Sequence, residues 1–386
     1  MFNKIIELKN FSSNKKNKSV LKNYKKLIFQ FNEGNQLLKS LSPYYNYSFD
    51  RKKIRKYQKE KIFKMIGMGG SILGSEAIYS FLKDKIKKKF YFINNLQSYK
   101  KKIESKKNVN IIISKSGNTL ETIANLNLYL NKKDKNIIIT EKKSNNLNIL
   151  AKKLKSEIIE HNNYIGGRYS VLSEVGMVPA LLMGLDEKKF KQFNNLIKNK
   201  IFVKKLIHNV EQTLYFSKKK FNSIILNYDE KSEDLFKWYQ QLIAESLGKK
   251  SKGFLPAISL MPKDNHSLAQ LYLDGPKNNF YTFFSVKDNN HLKLNNKLLL
   301  PNNIYLYKKK INQIIYAQKK ASEKVFYRKK IPFRSFTVNQ RNEKTLGTLF
   351  CFFILETILL GRALNVNPFD QPSVELIKKE TKKILY

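Results

Sequence analysis

The segment FKMIGMGGSILGSEAIYSFL, Phe63–Leu82, decides the fold. Phe63–Ile66 is a short apolar run, glycines follow it at once, and Ser71–Leu82 then carries apolar residues at helical spacing. That succession predicts a buried strand, a tight turn and a helix. It recurs at Val109–Ser114, SKSGNT and Thr119–Leu130, with further strands expected at Phe90–Ile93 and Asn136–Thr140 and a helix at Leu147–Leu154. Short apolar strands alternating with helices indicate a parallel sheet in a doubly wound α/β domain. A helical stretch at about 187–218 leads to a second such set. Its strands are expected at Ser223–Asn227, Ala257–Leu260, Tyr281–Val286 and Phe333–Val338. Its helices are expected near Glu233–Gly248, Lys309–Phe326, Lys344–Leu360 and Ser373–Ile384. The expected fold class is therefore α/β: two doubly wound α/β sandwich domains with mainly parallel sheets, over 46–186 and 187–386. Residues 1–45 read as a peripheral N-terminal helical arm, and the second domain ends in a C-terminal helix.

The 386 residues suit two domains at roughly 150 residues each. With 42% hydrophobic residues, including 26 Phe and 21 Tyr, a packed core is affordable and global disorder is excluded. A single cysteine, Cys351, excludes a disulfide framework and points to a reducing compartment. No apolar run approaches the ~18 residues of a membrane span; Leu349–Leu360 is broken by Glu356 and Thr357. The N-terminal MFNKIIELKNF lacks an uninterrupted signal-peptide core. A soluble, cytoplasmic protein without a membrane partner is the expectation.

The net charge of +44 raises nucleic acid as a partner. The basic residues, however, are 67 Lys and only seven Arg. The Lys residues fall in scattered runs such as Lys87–Lys89, Lys100–Lys102, Lys218–Lys220 and Lys308–Lys310, without regular aromatic interleaving. Base readout favours Arg forks, and single-strand binding needs stacking platforms. No specific nucleic-acid partner is expected.

Against this bias the exceptions carry information. Of only 15 glycines, seven fall in three segments: Gly67, Gly69, Gly70 and Gly74 in IGMGGSILG, Gly117 in SKSGNT, and Gly166 and Gly167 in YIGGRYS. Between Arg55 and Arg328 the one arginine is Arg168, beside the last of these pairs, where a planar fork is required that Lys cannot supply.

The glycine-rich turn before a helix suits an anion, because backbone N–H groups and the positive helix end converge there. It is not a dinucleotide fingerprint, since Ile72 stands where the third glycine belongs, and Asn94 and Asn95 where an acid belongs. Nor is it a Walker loop, since Ser75 and Glu76 follow Gly74. Ser114, Lys115, Ser116 and Thr119 add donors at a second strand–helix turn, which also reads as a helix cap. Two such turns on one sheet edge fit a compact dianion such as a sugar phosphate.

GMGGSILG, SKSGNTLET, GGRYSVLSEVG, QQLIAESLGK and FDQPSVELIKK occur in this order, and together they closely resemble the phosphoglucose isomerase family, from about Gly67 to Lys378. The resemblance implies two sugar-isomerase (SIS) domains and a cofactor-independent interconversion of glucose 6-phosphate and fructose 6-phosphate through a cis-enediol. It assigns phosphate binding to Gly70, Ser71, Ser114, Lys115, Ser116 and Thr119. It makes Glu245 the base between carbons 1 and 2, Gln241 a substrate ligand, and Arg168 the stabiliser of the enediolate. It makes His266 the ring-opening group, supplied by a neighbouring subunit in a homodimer, and puts Gln371 and Lys378 near the substrate's ring and hydroxyl oxygens. A phosphoglucose/phosphomannose isomerase and a noncatalytic SIS sensor share much of this pattern. Met68, Ser75, Asn118 and Ser373 depart from the family's residues, and Ser373 bears on the turn entering the Lys378 helix.

The residues themselves agree. His161, His208, His266, His291 and Cys351 lie far apart in sequence, without metal-ligand spacing, so no metal is expected. That favours proton transfer over hydride transfer, which needs a positioned carboxylate and a cation at the oxyanion. Glu245 and Arg168 fit those roles.

Overall fold

A computed structural model of the chain describes residues 2–99, 103, 108–131, 133–287, 292–296, 298 and 304–385; the Lys100–Lys102 run and His291 lie outside them. Ten strands form two five-stranded sheets. The first sheet contains β2 (Ile62–Gly67), β3 (Lys89–Ile93), β4 (Val109–Ile113), β5 (Lys135–Thr140) and β6 (Glu157–Glu160), in the order β3-β2-β4-β5-β6. All its pairings are parallel. The second contains β1 (Ile6–Lys9), β7 (Asn222–Asn227), β8 (Leu255–Leu260), β9 (Asn279–Val286) and β10 (Phe333–Val338), in the order β1-β10-β9-β7-β8. In each sheet the leading strand of the α/β succession lies inside, with the next strand on one side and the following ones on the other. That is the doubly wound arrangement, whose ligands bind where the strand order reverses.

The longer helices are α1 (Lys18–Asn32), α2 (Leu73–Phe81), α3 (Leu120–Tyr129), α4 (Asn146–Lys153), α5 (Glu174–Leu182), α6 (Lys200–Ser217), α7 (Glu233–Leu247), α8 (Ile311–Arg328), α9 (Glu343–Ala363) and α10 (Pro372–Leu385). β4 and β5 read as continuous apolar runs because both faces of a parallel sheet are covered, and every residue of β4 is buried. Helix α9 packs against α1, α6 and α7. It is long and apolar enough to cross a membrane, yet 89% of its most apolar window is buried inside the protein, so it serves as a core helix. Glu356, which interrupts its apolar run, is buried beside Arg334, whose guanidinium also reaches Asn209 at 2.8 Å, Thr282 at 2.9 Å and Tyr239 at 3.1 Å. A buried carboxylate is tolerable only when paired and hydrogen-bonded in this way.

The expected strands and helices occur, with ends shifted by up to three residues; β6 and α5 are additional. The N-terminal segment departs from the expected helical arm. Ile6–Lys9 is an edge strand of the second sheet, antiparallel to β10 with Ile6 opposite Val338. Ile6 and Leu8 are buried while Glu7 and Lys9 face out, a period of two that four residues are too few to announce. Nor is the segment merely peripheral. Val20 and Leu27 of α1 are fully buried, and buried Lys191 donates both to Ser40 O and to Leu172 O. Helix α10 differs in the other direction: it is exposed along its described length, including Leu376, Ile377, Ile384 and Leu385.

His161 follows β6, is 1% exposed, and burial pushes its imidazole down to about 4. Unfolded, it titrates near 6.5, so between those values the unfolded chain binds more protons and stability falls as pH falls. Urea unfolding at pH 7 and pH 4.5 checks this. The His161→Phe variant is expected to lose about 2 kcal/mol less than wild type over that interval; equal losses would contradict the assignment.

Candidate active site

Gly70 brings the two glycine-rich segments together. A Cβ at Gly70 would lie 2.2 Å from the carbonyl carbon of Gly167 and 2.5 Å from the amide of Arg168, so only glycine lets the 3-10 turn Gly167–Leu172 cross the loop after β2. Its neighbour Gly69 has φ +52°, and a Cβ there would meet Gln241 Nε2 at 2.8 Å. The glycine loop is thus pressed between the turn carrying Arg168 and the helix carrying Gln241. That helix, α7, packs along α2, and Ser80 of α2 donates to Asp234 of α7. The glycine loop of the first sheet and helix α7 of the second half are thereby packed together.

Arg168 is 2% exposed, and its guanidinium uses all five of its N–H donors. Nε donates to Ser246 Oγ at 2.8 Å. Nη2 donates to the carbonyls of Pro368 at 2.7 Å and Asp370 at 2.9 Å. Nη1 donates to Gln371 Oε1 at 2.6 Å and Glu245 Oε2 at 3.2 Å. Lysine has three donors on one nitrogen and could not span this set. The other Glu245 oxygen accepts from Gln241 Nε2 at 2.8 Å, as their i,i+4 spacing on α7 allows. The carboxylate keeps 29% of its side-chain surface accessible while Arg168 keeps 1%, so the carboxylate faces the opening and the guanidinium backs it.

At the carboxyl edge of the first sheet, Ser114 Oγ and Thr119 Oγ1 lie 2.8 Å apart, and the Gly117 amide donates to Ser114 Oγ at 3.2 Å. The residue after Gly67 stands level with Ser114, because Gly67 pairs with Ile113. Ser71 and Ser114 therefore come from adjacent turns. The Asn118 amide donates to Ser116 Oγ at 3.3 Å, and Asn118 Oδ1 accepts from the Asn146 amide at 3.0 Å, joining this turn to the start of α4. Lys115 Nζ donates to Asn163 O at 2.6 Å and lies 3.7 Å from Glu141; burial lowers its pKa. It borders a cavity of about 580 Å³ with Gly34, Gly166, Tyr169 and Phe369.

The structure thus assembles Gly70, Ser71, Ser114, Lys115, Ser116 and Thr119 on one edge, and Arg168, Gln241, Glu245 and Gln371 beside it. It does not bring His266 or Lys378 to that cluster within one chain. His266 is exposed after the turn Lys263–Asn265, and Lys378, exposed on α10, pairs with Glu375 at 2.6 Å. Ser373 is likewise exposed on α10, whereas Ser75 is buried and donates to Val175 O at 3.2 Å. Sequence reasoning missed Ser246 and Tyr169, whose hydroxyls lie 3.0 Å apart; Tyr169 OH also donates to Pro368 O at 2.9 Å. Their signal was adjacency to Glu245 and Arg168. Among the described residues, no three His, Cys, Asp or Glu side chains converge as a metal site.

Residues 11–258 match the family profile described as phosphoglucose isomerase. The chain is 34% identical over 342 residues to the glucose-6-phosphate isomerase of Methanocaldococcus jannaschii, covering 82% of each. It is 32% identical over 364 residues to that of Mycoplasmoides gallisepticum, covering 86% of this chain and 85% of the relative. Among solved structures, hypothetical protein TT0462 from Thermus thermophilus shares the fold with a TM-score of 0.84 at 22% identity, over 95% of this chain and 94% of that one. A glucose-6-phosphate isomerase from Chlamydia trachomatis superposes with a TM-score of 0.69 at 19% identity, over 87% and 72%.

Two variants test the geometry. Arg168→Lys keeps the charge but abandons most of the five contacts, and turnover of a sugar phosphate is expected to fall about 10²-fold; wild-type kcat and KM would make Arg168 incidental. Ser114→Ala combined with Thr119→Ala is expected chiefly to raise KM, because the donors lie away from Glu245. Some loss of kcat is compatible, since remote binding energy also orients the reacting end. Unchanged KM and kcat/KM would move the phosphate elsewhere.

Proposed function

The chain belongs to the phosphoglucose isomerase family and interconverts glucose 6-phosphate and fructose 6-phosphate, and from that premise we propose which of its residues carry each part of the reaction. The observation that carries the proposal is the Arg168 guanidinium held between Glu245 and Gln371. The reaction moves a proton between neighbouring carbons, and one carboxylate reaches both if the enediol lies across it. Glu245 takes the proton from carbon 2 of the aldose and returns it to carbon 1. The electron pair released from the C–H bond forms the enediolate. Its oxygen on carbon 1 accepts a hydrogen bond from one of the two Nη1 N–H groups now given to Glu245 and Gln371. The proton of the carbon-2 hydroxyl passes to that oxygen as carbon 1 is protonated, which leaves the ketone at carbon 2. The Nε and Nη2 contacts to Ser246, Pro368 and Asp370 meanwhile keep the fork aimed, so no reorientation accompanies the charge shift.

Gly70, Ser71, Ser114, Lys115, Ser116 and Thr119 hold the phosphate, and Gln241 and Gln371 hold substrate hydroxyls. His266 opens the sugar ring from a second copy of the chain, in a homodimer, and Lys378 stands near the ring oxygen. The exposure of His266 supports a role across an interface, and the exposed apolar residues of α10 support its burial against another surface. Two SIS domains, 46–186 and 187–386, divide the work: the first holds the phosphate and the second supplies the base. The enzyme works in the cytoplasm, where the buried Cys351 stays reduced.

Glu245→Gln preserves shape while removing the base. Its kcat is expected to fall by about 10²–10⁴-fold with little change in substrate binding. Exchange of the carbon-2 proton with solvent, followed by NMR in D2O, is expected in the wild type and not in the variant. Continued exchange in the variant would place the base on another residue.

A further inference from the structure

The second sheet repeats the strand order of the first around β7, and the edge that binds phosphate in one sheet has a counterpart in the other. That counterpart is a cleft of about 640 Å³, bordered by Tyr228 and Lys231 after β7, Met261 after β8, Ser285 and Lys287 at the end of β9, and Ile315 in the first turns of α8. The volume accommodates a sugar-phosphate-sized ligand. In the first sheet, Gly67 ends β2 opposite Ile113 of β4, and Ser114 is the next residue. In the second, Asn227 ends β7 opposite Phe284 of β9, and Ser285 is the next residue. Ser285 therefore occupies the register position of Ser114. It is 5% exposed, and its hydroxyl finds no hydrogen-bond partner among the described residues. A buried hydroxyl left unpaired in a roomy cleft requires a partner from outside.

The charges select the ligand. Helix α8 runs 18 residues and has no acid in its first turn, but its end is capped: the amides of Lys310, Ile311 and Gln313 donate to Gln313 Oε1, Leu292 O and Lys310 O, so the charge at this cleft is carried by side chains. The start of α7, on the other side, carries Glu233 and Asp234 and repels an anion. Two acids also line the cleft: Asp229 is committed to Arg341 at 2.6 Å and to Ser232, and Glu230 is exposed. The ammonium groups of Lys231 and Lys287 stand at the rim, paired with Asp84 at 2.6 Å and Glu7 at 2.7 Å. Both acids are about half exposed, and such pairs are weak enough to yield to a dianion.

We propose that this cleft at the carboxyl edge of the second sheet is a second binding site for a phosphomonoester dianion, with Ser285, Lys231 and Lys287 as its ligands. None of its ligands is a residue given a catalytic role, so it stands or falls independently of those roles.

Isothermal titration of the full chain with inorganic phosphate, in about 0.15 M NaCl to screen scattered surface lysines, tests it. Wild type is expected to bind two phosphates per chain. Ser285→Val is expected to bind one, with kcat and KM for fructose 6-phosphate unchanged; removing an unpaired buried hydroxyl leaves no new group unsatisfied. Lys287→Glu, at the rim and independent of core packing, is expected to weaken the same site at least tenfold. The Ser114→Ala, Thr119→Ala double variant is expected to retain it. Repeating the titration with fructose 6-phosphate separates a sugar-phosphate site from one for free phosphate, either of which supports the proposal. One phosphate per chain in wild type, or two with undiminished affinity in both Ser285→Val and Lys287→Glu, overturns it.

Discussion

A buried guanidinium with every donor occupied organises this protein. Arg168 joins the turn after β6, helix α7 through Ser246 and Glu245, and the segment before α10 through Pro368, Asp370 and Gln371. These contacts close sequence separations of 77 to 203 residues. An unpaired charge at such depth would be prohibitively costly, so the surroundings must converge on it. The side chain that provides the positive charge beside Glu245 is therefore also the one that orders the segment leading to α10. Structure and chemistry are not separable at this residue, and a lysine-rich chain retains arginine here for its geometry.

The backbone beneath Arg168 is equally constrained. Gly70 admits the turn from above, and Lys191 holds the same turn from behind by donating to Leu172 O while also taking Ser40 O. Burial lowers the Lys191 ammonium to about 7, and the rings of Tyr45 and Tyr47 face it at 4.8 and 4.9 Å. The N-terminal segment thus contributes twice, as an added strand of the second sheet and as a brace behind the turn that carries Arg168. Covering β10 with β1 also replaces a longer apolar edge by a strand of four residues whose Glu7 and Lys9 face out, which blunts the edge.

The two sheets share one winding but not one chemistry. The loop after β2 is glycine-rich and opens on Ser71, whereas the loop after β7 holds Asp229, Glu230, Glu233 and Asp234. The acids at the start of α7 therefore disfavour an anion at that helix end, whereas the start of α2 carries none but Glu76, and α7 presents Gln241 and Glu245 at its other end. Much of the basic surface has little part in this specificity: lysines such as Lys237 and Lys329 are spent on exposed pairs of small individual worth.

Sequence alone determined the strand–turn–helix units of both halves, because their apolar runs, helical spacing and glycine turns are local signals. It also marked a candidate anion edge, since Ser114–Thr119 and Gly67–Ser71 each lie within one turn, and the family resemblance offered Glu245, Gln241, Arg168 and Gln371 as its neighbours. What it did not contain was their assembly. Ser246, Tyr169 and the Pro368 and Asp370 carbonyls serve Arg168 only because packing brings α7 and the 368–371 segment to one point, and nothing periodic marks a carbonyl acceptor. Ile6–Lys9 became a strand because β10 offered an edge, not because four residues specify one. Local hydrophobic period specifies an element and its buried face; which distant element covers that face is decided only when the tertiary structure satisfies its charges and backbone groups together.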